Sequence, residues 1–325
     1  MRDDVFIVGG ARTPIGSFQG SLSSLSAVEL GVIAVRAAIA RAGVAPEAVE
    51  QVLMGHVLSA GAGQNTARQV AVRAGLPYSA TAVTLNQVCG SGLRAVQLGA
   101  QEINSGQAHI VAAGGMESMS SAPHVLPALR TGLRLGHGRA IDTLIHDGLW
   151  DAFNDCHMGI TAENLAKRHS LTRERQDAYA VESQRRASEA MAEGRFDREI
   201  EPVVVPGPKG TTTTVSRDEQ PRTDCTPEGL ARLRPAFAKD GTVTAGNSST
   251  LNDGAAAVVL MSAERVRATN ATPLARIVGF ATAGVDPATM GEGPVPATMR
   301  CLERAGWTLD DVELIEANEA FAAQA

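Results

Sequence analysis

Short apolar runs alternate with amphipathic segments through the first part of the chain. The runs VFIVGG, VEQVLMG and HIVAAGG have the length of strands, and the segments between them place apolar residues at helical spacing. One such segment predicts a helix from about Ser91 to Asn104, directly after the strand-like TAVTLNQVC. Continuously apolar strands separated by helices are typical of a parallel sheet that is covered by helices on both faces.

The pattern changes between residues 120 and 251. This part holds the polar, Gly-rich PALRTGLRLGHGRA, two long helical patterns (TAENLAKRHS and RERQDAYAVESQRRASEAMAEG) and the polar PGPKGTTTTVSRDEQPRTDC. The apolar run GAAAVVLMS then returns as a buried strand. We therefore predict a loop domain at 120–251, inserted into a first α/β half that is made of 1–119 and 252–272.

An internal repeat links the two ends of the chain. RAGVAPEAVEQVLMG, starting at Arg41, matches RAGWTLDDVELIEAN, starting at Arg304, and the flank VFIVGGARTPIG resembles ARIVGFATAGVD. Matching order across strand, helix and strand predicts two copies of one α/β unit, with 273–325 as an incomplete second copy. On this repeat argument about 70 to 80 residues of a complete second copy are absent.

Composition and charge narrow the class of protein. The chain has 325 residues, enough for two cores, and its formal charge of −6 argues against a nucleic-acid partner. Four cysteines are scattered without a C-x-x-C pair or a Cys/His cluster, which argues against a disulfide framework and against a structural metal site. The N-terminus has no signal-peptide pattern, and no apolar stretch has transmembrane length. We expect a cytoplasmic protein with no membrane association and no metal.

The stretch NQVCGSGLRA places Cys89 between the predicted strand and the predicted helix. An isolated cysteine is most often a small packing residue. However, Gly90 and Gly92 allow close backbone approach, and a helix N-terminus favours a thiolate and holds an oxyanion through its free N–H groups. These two glycines favour a nucleophile over a packing residue. Cys156, Cys225 and Cys301 have no comparable setting.

Five motifs, in order, resemble the thiolase family over the whole chain. They are VFIVGGARTPIGSFQGSLS, NQVCGSGLRA with GGMESMS, CHMGITAENLA, RLRPAF with TAGNSSTLNDGAA, and EANEAFAAQ. The spacing is similar to that of the short-chain biosynthetic members, the acetyl-CoA acetyltransferases. The resemblance implies an α/β fold with a duplicated thiolase-type unit in a five-layer αβαβα arrangement and an inserted loop domain, which agrees with the repeat.

The resemblance implies a reaction and two catalytic residues. Cys89 would carry an acetyl group in the Claisen condensation of two acetyl-CoA to acetoacetyl-CoA and in the reverse thiolysis. Asn318, in NEAF, would position a water in an oxyanion hole for the thioester oxygen, although an Asn here is also an ordinary turn residue. Acetyl-CoA, acetoacetyl-CoA and CoA would be substrates, and no cofactor is implied.

Further residues would contact the coenzyme or the acyl group by the same resemblance. His157 and Met158 would line the pantetheine and acyl pocket, although His157 could equally be a satisfied loop residue. Ser249 would hold the pantetheine amide, and Arg222 would meet the nucleotide end unless it is only a solvated charge. The apolar contacts and the tunnel wall would be Leu149, Phe237, Ala245, Gly246, Ala320 and Phe321.

Two departures from the family pattern bear on activity. Gly229 stands where the family often has a Ser, so a hydrogen bond to the adenine end is missing. The family's catalytic His and second Cys have no match here, and none of the seven His residues fits that His by motif. We expect 1–325 to be acylated in part but not to form acetoacetyl-CoA.

The sequence leaves one alternative function open and predicts an oligomeric state. A non-catalytic CoA-binding or assembly subunit of the thiolase fold is the alternative, and a ketoacyl synthase relative is disfavoured by NEAF and CGSGLRA. The Gly- and Leu-containing PHVLPALRTGLRLGHGRAIDT occupies the place of the thiolase tetramerisation loop. We therefore predict a homotetramer, a dimer of dimers.

Overall fold

The computed structural model describes residues 4–325 and divides the chain into two compact units. The first unit comprises the chain up to Gly148, Phe196–Gln220 and Leu251–Ile277. The second comprises Leu149–Arg195, Pro221–Thr250 and Val278–Ala325. The first three residues of the predicted range 1–119 lie outside the described residues. The predicted insertion 120–251 is therefore shared between the two units, and the predicted range 273–325 begins within the first of them.

Strands and helices alternate along the chain. The strands are β1 Val5–Arg12, β2 Gly16–Ser17, β3 Gln51–Gly55, β4 Thr81–Leu85, β5 Ile110–Ser118, β6 His124–Val125, β7 Ile141–Asp142, β8 Trp150–Asp151, β9 Cys156–His157, β10 Val203–Pro206, β11 Thr212–Val215, β12 Asn252–Ser262 and β13 Ala275–Ile277. The helices are α1 Ala27–Arg41, α2 Thr66–Arg73, α3 Ser91–Asn104, α4 Thr143–Gly148, α5 Met158–Arg168, α6 Arg173–Ala192, α7 Pro227–Ala231, α8 Ala263–Thr269 and α9 Pro294–Ala305.

The sheet of the first unit is mixed, and the expectation of a parallel sheet is wrong in this respect. Its strand order is β13-β1-β12-β5-β3-β4, with β2 paired to β12. Strand β3 is parallel to β4 and β5, whereas β12 runs antiparallel to both β1 and β5. The apolar run of β12 could not reveal this direction, because a strand buried on both faces has the same pattern in either orientation.

Helices cover both faces of this sheet, as the alternation of apolar runs predicts. Alternate residues of a strand point to opposite faces. On β5, Met116 lies against Gly31 of α1, whereas Val111 and Ala113 lie against Gly99 of α3. Helices α1 and α3 therefore pack on opposite faces, and α3 begins at the edge of the sheet where β3 and β4 end.

Two charged side chains attach the segment Phe196–Gln220 to the first unit. Arg12 on β1 forms hydrogen bonds with Asp218 at 2.7 and 2.9 Å and with Glu199 at 2.6 Å. The carboxylate of Glu219 accepts the backbone N–H of Ser17 at 2.7 Å. These contacts explain why a polar segment predicted to belong to a separate insertion lies with the first sheet.

The internal repeat is visible in backbone structure as well as in sequence. Gly43 follows α1 and Gly306 follows α9, and both have positive φ (63° and 70°). A short 3-10 turn comes next in each copy, at Pro46–Ala48 and at Leu309–Asp311. The copies then differ, because β3 finds partners in β4 and β5, whereas among residues 4–325 no strand pairs with 314–318.

No helix within residues 4–325 is both long and apolar enough to cross a membrane.

Candidate active site

Cys89 lies on the turn that joins β4 to α3, as the sequence predicts. Strand β4 ends at Leu85, Gly90 is the N-cap, and α3 begins at Ser91. The thiol is exposed, whereas the other three cysteines are only partly exposed. Among the described residues, no side chain forms a cap hydrogen bond at the N-terminus of α3, where Gly90 is the N-cap. A reagent or substrate can therefore reach the sulfur.

The turn of residues 86–92, called the nucleophile turn after the predicted role of Cys89, is fixed by its own side chains. The Asn86 side chain accepts the N–H of Val88 at 2.8 Å. Ser91 Oγ accepts the N–H of Gln87 at 2.8 Å and donates to the carbonyl of Val88 at 2.6 Å. Val88 has a φ of 49°, in the left-handed region that costs a β-branched residue about 1–2 kcal/mol. These two hydrogen bonds of Ser91, called the serine bridge below, thus hold the strained residue that immediately precedes Cys89.

Gly55, at the end of β3, lets α3 approach the sheet at this turn. A Cβ added at Gly55 would lie 2.5 Å from Ser91 Cβ and 2.8 Å from the backbone N of Gly92. Real Cβ atoms do not come so close to backbone, so glycine is required here. This role of Gly55 could not be predicted from the sequence, because its neighbour Ser91 is distant in the chain.

The electrostatic setting of Cys89 differs from the expectation of a favoured thiolate. Burial around the sulfur raises the pKa of the Cys89 thiol above that of an ordinary cysteine, and a backbone hydrogen bond opposes this only in part. Cys89 as a residue is exposed, yet desolvation is the largest influence on the pKa of its thiol. The helix N-terminus alone therefore does not make Cys89 a thiolate at neutral pH.

In the second unit, the structure brings together several residues predicted to contact the coenzyme. The His157 and Phe237 rings are stacked with centroids 4.7 Å apart, and Phe237 meets Phe321 edge-on at 6.1 Å. Met158 and Ala320 pack against the same apolar cluster as Phe321. Predicted residues that are separated in the sequence by up to about 160 positions thus form one aromatic cluster, defined here as His157, Phe237 and Phe321.

His157 has a defined tautomer and charge in this cluster. It is the N-cap of α5, and its Nδ1 accepts the N–H of Gly159 at 3.0 Å. The proton of the neutral ring therefore lies on Nε2, and burial lowers the pKa of His157. The side chain can donate one hydrogen bond from Nε2 at neutral pH. His157 is therefore a helix cap with one ring N–H left to donate, and not a loop histidine whose two ring nitrogens are both hydrogen-bonded within the protein.

Gly159 sets the position of the Phe237 ring. A Cβ added at Gly159 would lie 2.2 Å from two ring atoms of Phe237. The ring therefore occupies space that only a glycine leaves open. Gly159 was not predicted to have this role, although it directly follows His157 and Met158 in the motif CHMG.

The loop of residues 242–249, called the pantetheine loop after its predicted role, is anchored by buried polar groups. Asn247 is almost fully buried, and its amide donates to Asp177 at 2.9 Å and accepts the N–H of Thr244 at 2.7 Å. The carboxylate of Glu163 accepts the N–H groups of Thr242 and Val243, at 2.9 Å in each case. Sequence reasoning missed Asn247, Asp177 and Glu163, since each acts through partners on other elements.

This loop also holds the segment after Asn318. Ser249 donates its N–H to the carbonyl of Ala320 at 2.8 Å, and Ala322 donates to the carbonyl of Asn247 at 2.9 Å. Ser249 and Ala245 are exposed and Gly246 is partly exposed, so the outer side of the loop is accessible. Leu149 accepts the N–H of Met158 at 2.9 Å, which places it at the start of α5.

Asn318 and Arg222 are exposed side chains. Within residues 4–325, neither side chain forms a hydrogen bond or an ion pair with another residue. The backbone N–H of Arg222 donates to Gln184 at 2.7 Å. Gly229, where the family often has Ser, donates its N–H to Thr226 in the cap of α7. Cys89 belongs to the first unit, whereas these residues belong to the second, and their roles stay predictions.

Comparisons with known proteins agree along the whole chain. The family model described as Thiolase, N-terminal domain matches residues 5–264, and the one described as Thiolase, C-terminal domain matches 271–325. A Pseudomonas aeruginosa protein named acetyl-CoA acetyltransferase is 58% identical over 321 residues, 99% of this chain and 82% of that protein. An Escherichia coli protein named probable acetyl-CoA acetyltransferase is 59% identical over 322 residues, with the same coverage.

A solved structure is similar over the same extent. The crystal structure of the Bacillus anthracis acetyl-CoA acetyltransferase superposes with a TM-score of 0.97 at 45% identity, covering 99% of this chain and 82% of that one.

Proposed function

The chain belongs to the thiolase family, and from that membership we propose that it is an acetyl-CoA acetyltransferase. The predicted thiolase-type α/β fold and the acyltransferase class are confirmed by the family and its structures. The names of relatives at 58 and 59% identity support the substrates over a non-catalytic role. The observation that carries the proposal is an exposed Cys89 on a strained turn at an uncapped helix N-terminus.

The first step is transfer of an acetyl group to Cys89. With acetyl-CoA as donor, Sγ forms a bond to the carbonyl carbon, the bond to the CoA sulfur breaks, and the proton of the Cys89 thiol ends on CoA. One thioester replaces another, so the step is nearly balanced and depends on orientation and on stabilisation of the oxyanion. The open N-terminus of α3 is suited to that stabilisation.

With acetoacetyl-CoA as donor, the charge develops elsewhere. Sγ of Cys89 attacks the 3-keto carbon, the bond between carbons 2 and 3 breaks, and its electron pair becomes the enolate of acetyl-CoA. The enolate then takes up a proton, so that the proton lost by the thiol is balanced. The negative charge rests on the thioester oxygen, where we place the amide of Asn318 and its water.

The second unit supplies the groups that we assign to coenzyme binding. The Nε2–H of His157 is available to a carbonyl of the substrate, and the apolar cluster beside it is suited to pantetheine. Ser249, which is exposed on the pantetheine loop, is assigned to the pantetheine amide, and the exposed Arg222 is assigned to the nucleotide end. The proposal involves no metal and no cofactor other than the CoA thioesters themselves.

Condensation additionally needs a base that removes a proton from the second acetyl-CoA. The resemblance assigns this chemistry to a His and a second Cys without counterpart in the sequence. We assign it to no residue of this sequence, and the test of the proposal therefore measures acetyl transfer to Cys89.

We further propose a cytoplasmic homotetramer. Leu126, Leu129, Leu133 and Leu135 of the predicted tetramerisation loop are exposed, and exposed apolar side chains in one loop are typical of an interface. Four unpaired cysteines are typical of a reducing compartment. Light scattering at micromolar concentration tests the assembly, and a monomer would contradict it.

The experiment that tests the function is acetylation by acetyl-CoA, followed by peptide mapping in a mass spectrometer. We expect one acetyl group on the peptide that contains Cys89, and none in Cys89→Ser. Cys156→Ser is the matched control, because it removes a partly exposed cysteine outside the nucleophile turn. An acetyl group on another cysteine, or none in the unmodified chain, would show that the proposed function is wrong.

A further inference from the structure

Glu319 directly follows Asn318 and is held by two hydroxyl groups of α6. Tyr179 donates its hydroxyl to Oε1 at 2.8 Å, and Ser183 donates to Oε2 at 2.5 Å. The two donors are four residues apart, so they lie on one face of the helix. Each carboxylate oxygen thus has its own donor, and the direction of the carboxylate is fixed.

The protonation state of Tyr179 keeps this arrangement intact. Burial and the Glu319 carboxylate raise the pKa of Tyr179 to about 12. The phenol therefore stays protonated and continues to donate at any physiological pH. Hydrogen bonds to an ionised carboxylate are among the stronger ones in proteins.

The chain on either side of Asn318 is held very differently. From Ala320 onward it is tied to the pantetheine loop, by the Ser249–Ala320 and Ala322–Asn247 backbone bonds. Before Asn318, among the residues that the structure describes, 314–318 is exposed and forms no backbone hydrogen bond. Glu319 is therefore the restraint nearest to Asn318, and only one side of Asn318 is anchored.

We propose that Glu319 is a positioning residue for Asn318. Its carboxylate accepts hydrogen bonds from Tyr179 and Ser183 and so fixes the backbone at the position next to Asn318. The side-chain amide of Asn318 is thereby oriented toward the thioester oxygen of the departing acetyl-CoA. The inference rests on the proposed function, because it presumes the role of Asn318 there. The carboxylate of Glu319 itself touches neither substrate nor sulfur in this role.

The test compares two acetyl donors in the full chain. Asn318 acts on the enolate charge of the departing acetyl-CoA, which develops only with acetoacetyl-CoA as donor. With acetyl-CoA no enolate forms, and the charge develops on the oxygen of the acetyl group that is transferred to Cys89. Glu319→Gln should therefore lower the maximal rate of Cys89 acetylation by acetoacetyl-CoA about 10- to 100-fold, as small misplacements of catalytic groups do. The rate with acetyl-CoA, the donor concentration at half-maximal rate and iodoacetamide labelling of Cys89 should change less than about twofold. A merely structural defect would lower both donor rates together.

Two further variants control for the origin of the effect. Tyr179→Phe combined with Ser183→Ala should reproduce the loss, and adding Glu319→Gln should lower the rate no further, because all three act through one contact. Glu316→Gln is the matched control, since it removes an exposed carboxylate on the other side of Asn318 and should leave both rates unchanged.

Failure of the inference is distinguishable from failure of the proposed function. If the unmodified chain takes no acetyl group from either donor, the proposed function is wrong, and the positioning role of Glu319 is then wrong as well. If the unmodified chain is acetylated and Glu319→Gln matches it with acetoacetyl-CoA, only the positioning role is overturned. Equal loss with both donors would likewise overturn it.

Discussion

The nucleophile turn and the aromatic cluster show two ways of building a site. The turn is made within seven residues: Ser91 and Asn86 bond to backbone groups at most four positions away. The aromatic cluster depends instead on Gly159 leaving space for Phe237, which comes from a distant segment. The geometry of the local site is maintained by hydrogen bonds between near neighbours, which also hold a strained backbone. The geometry of the non-local site is maintained by packing between distant segments. The two sites should therefore respond differently when a single side chain is changed.

The largest effect is expected for Ser91→Ala, which breaks the local site. The substitution removes two hydrogen bonds and leaves the partly buried N–H of Gln87 without its acceptor. At about 0.5–1.5 kcal/mol for each bond, the unfolding free energy should fall by about 1–3 kcal/mol. Val88 is then free to leave its strained conformation, and acetylation of Cys89 should slow by about 10- to 100-fold. Denaturant unfolding and the acetylation rate measure the two losses.

Ser105→Ala is the control at the other end of the same helix. Its hydroxyl donates to the carbonyl of Glu102 at 3.0 Å and is exposed, so its removal should change neither quantity measurably. An unchanged acetylation rate in Ser91→Ala would show that the turn does not depend on the serine bridge.

The contrast explains what the sequence could predict. The helix Ser91–Asn104 and the place of Cys89 were predicted correctly, because periodicity and flanking glycines are local signals. The antiparallel direction of β12 was not predicted, since a buried strand carries no sign of its direction. The raised pKa of Cys89 was missed as well, because the desolvation comes from surrounding protein and not from the helix start.

The second unit was predicted differently. Neither spacing nor periodicity connects His157 with Phe237; only the resemblance to thiolases put both in one site, and the structure stacks them. The residues that hold this site, Asn247 and Glu163, carry no local signal, because each bonds to backbone or side chains of other elements. Glycine-dependent packing at Gly159 is equally invisible until its neighbour is known.

A smaller effect is expected when packing in the aromatic cluster is disturbed by Gly159→Ala. The new Cβ would overlap the Phe237 ring, which must rotate away from its position against His157. Overpacking costs about 1–3 kcal/mol, but the gain in helix propensity returns about 1 kcal/mol, so stability should change little. CoA affinity, measured by calorimetry, should fall about tenfold because the wall of the site has moved.

A compensating substitution separates this packing effect from a general defect. Phe237→Leu in the Gly159→Ala background provides room for the new methyl group and should restore part of the affinity. Gly284→Ala is the matched control in the second unit, because a Cβ there meets nothing within 4 Å. Equal CoA affinity in Gly159→Ala and the unmodified chain would refute the packing argument.

The smallest effect, a shift in pH dependence, tests whether the nucleophile turn activates its own sulfur. The thiolate is the reactive form, and burial raises the pKa of Cys89 above the unperturbed value of about 8.5. The fraction of thiolate is therefore low at neutral pH, and iodoacetamide labelling should accelerate about tenfold per pH unit without levelling off by pH ~8.5.

Glutathione, labelled with the same reagent in parallel, provides the unperturbed thiol for reference. If labelling of Cys89 reaches its plateau at a lower pH than glutathione, the helix N-terminus outweighs desolvation and the local turn activates the sulfur unaided. If labelling of Cys89 instead reaches its plateau at a higher pH than glutathione, the turn makes the sulfur accessible and orients it but does not make it a thiolate. The charge on the sulfur must then be stabilised by groups that become available only when the substrate is bound.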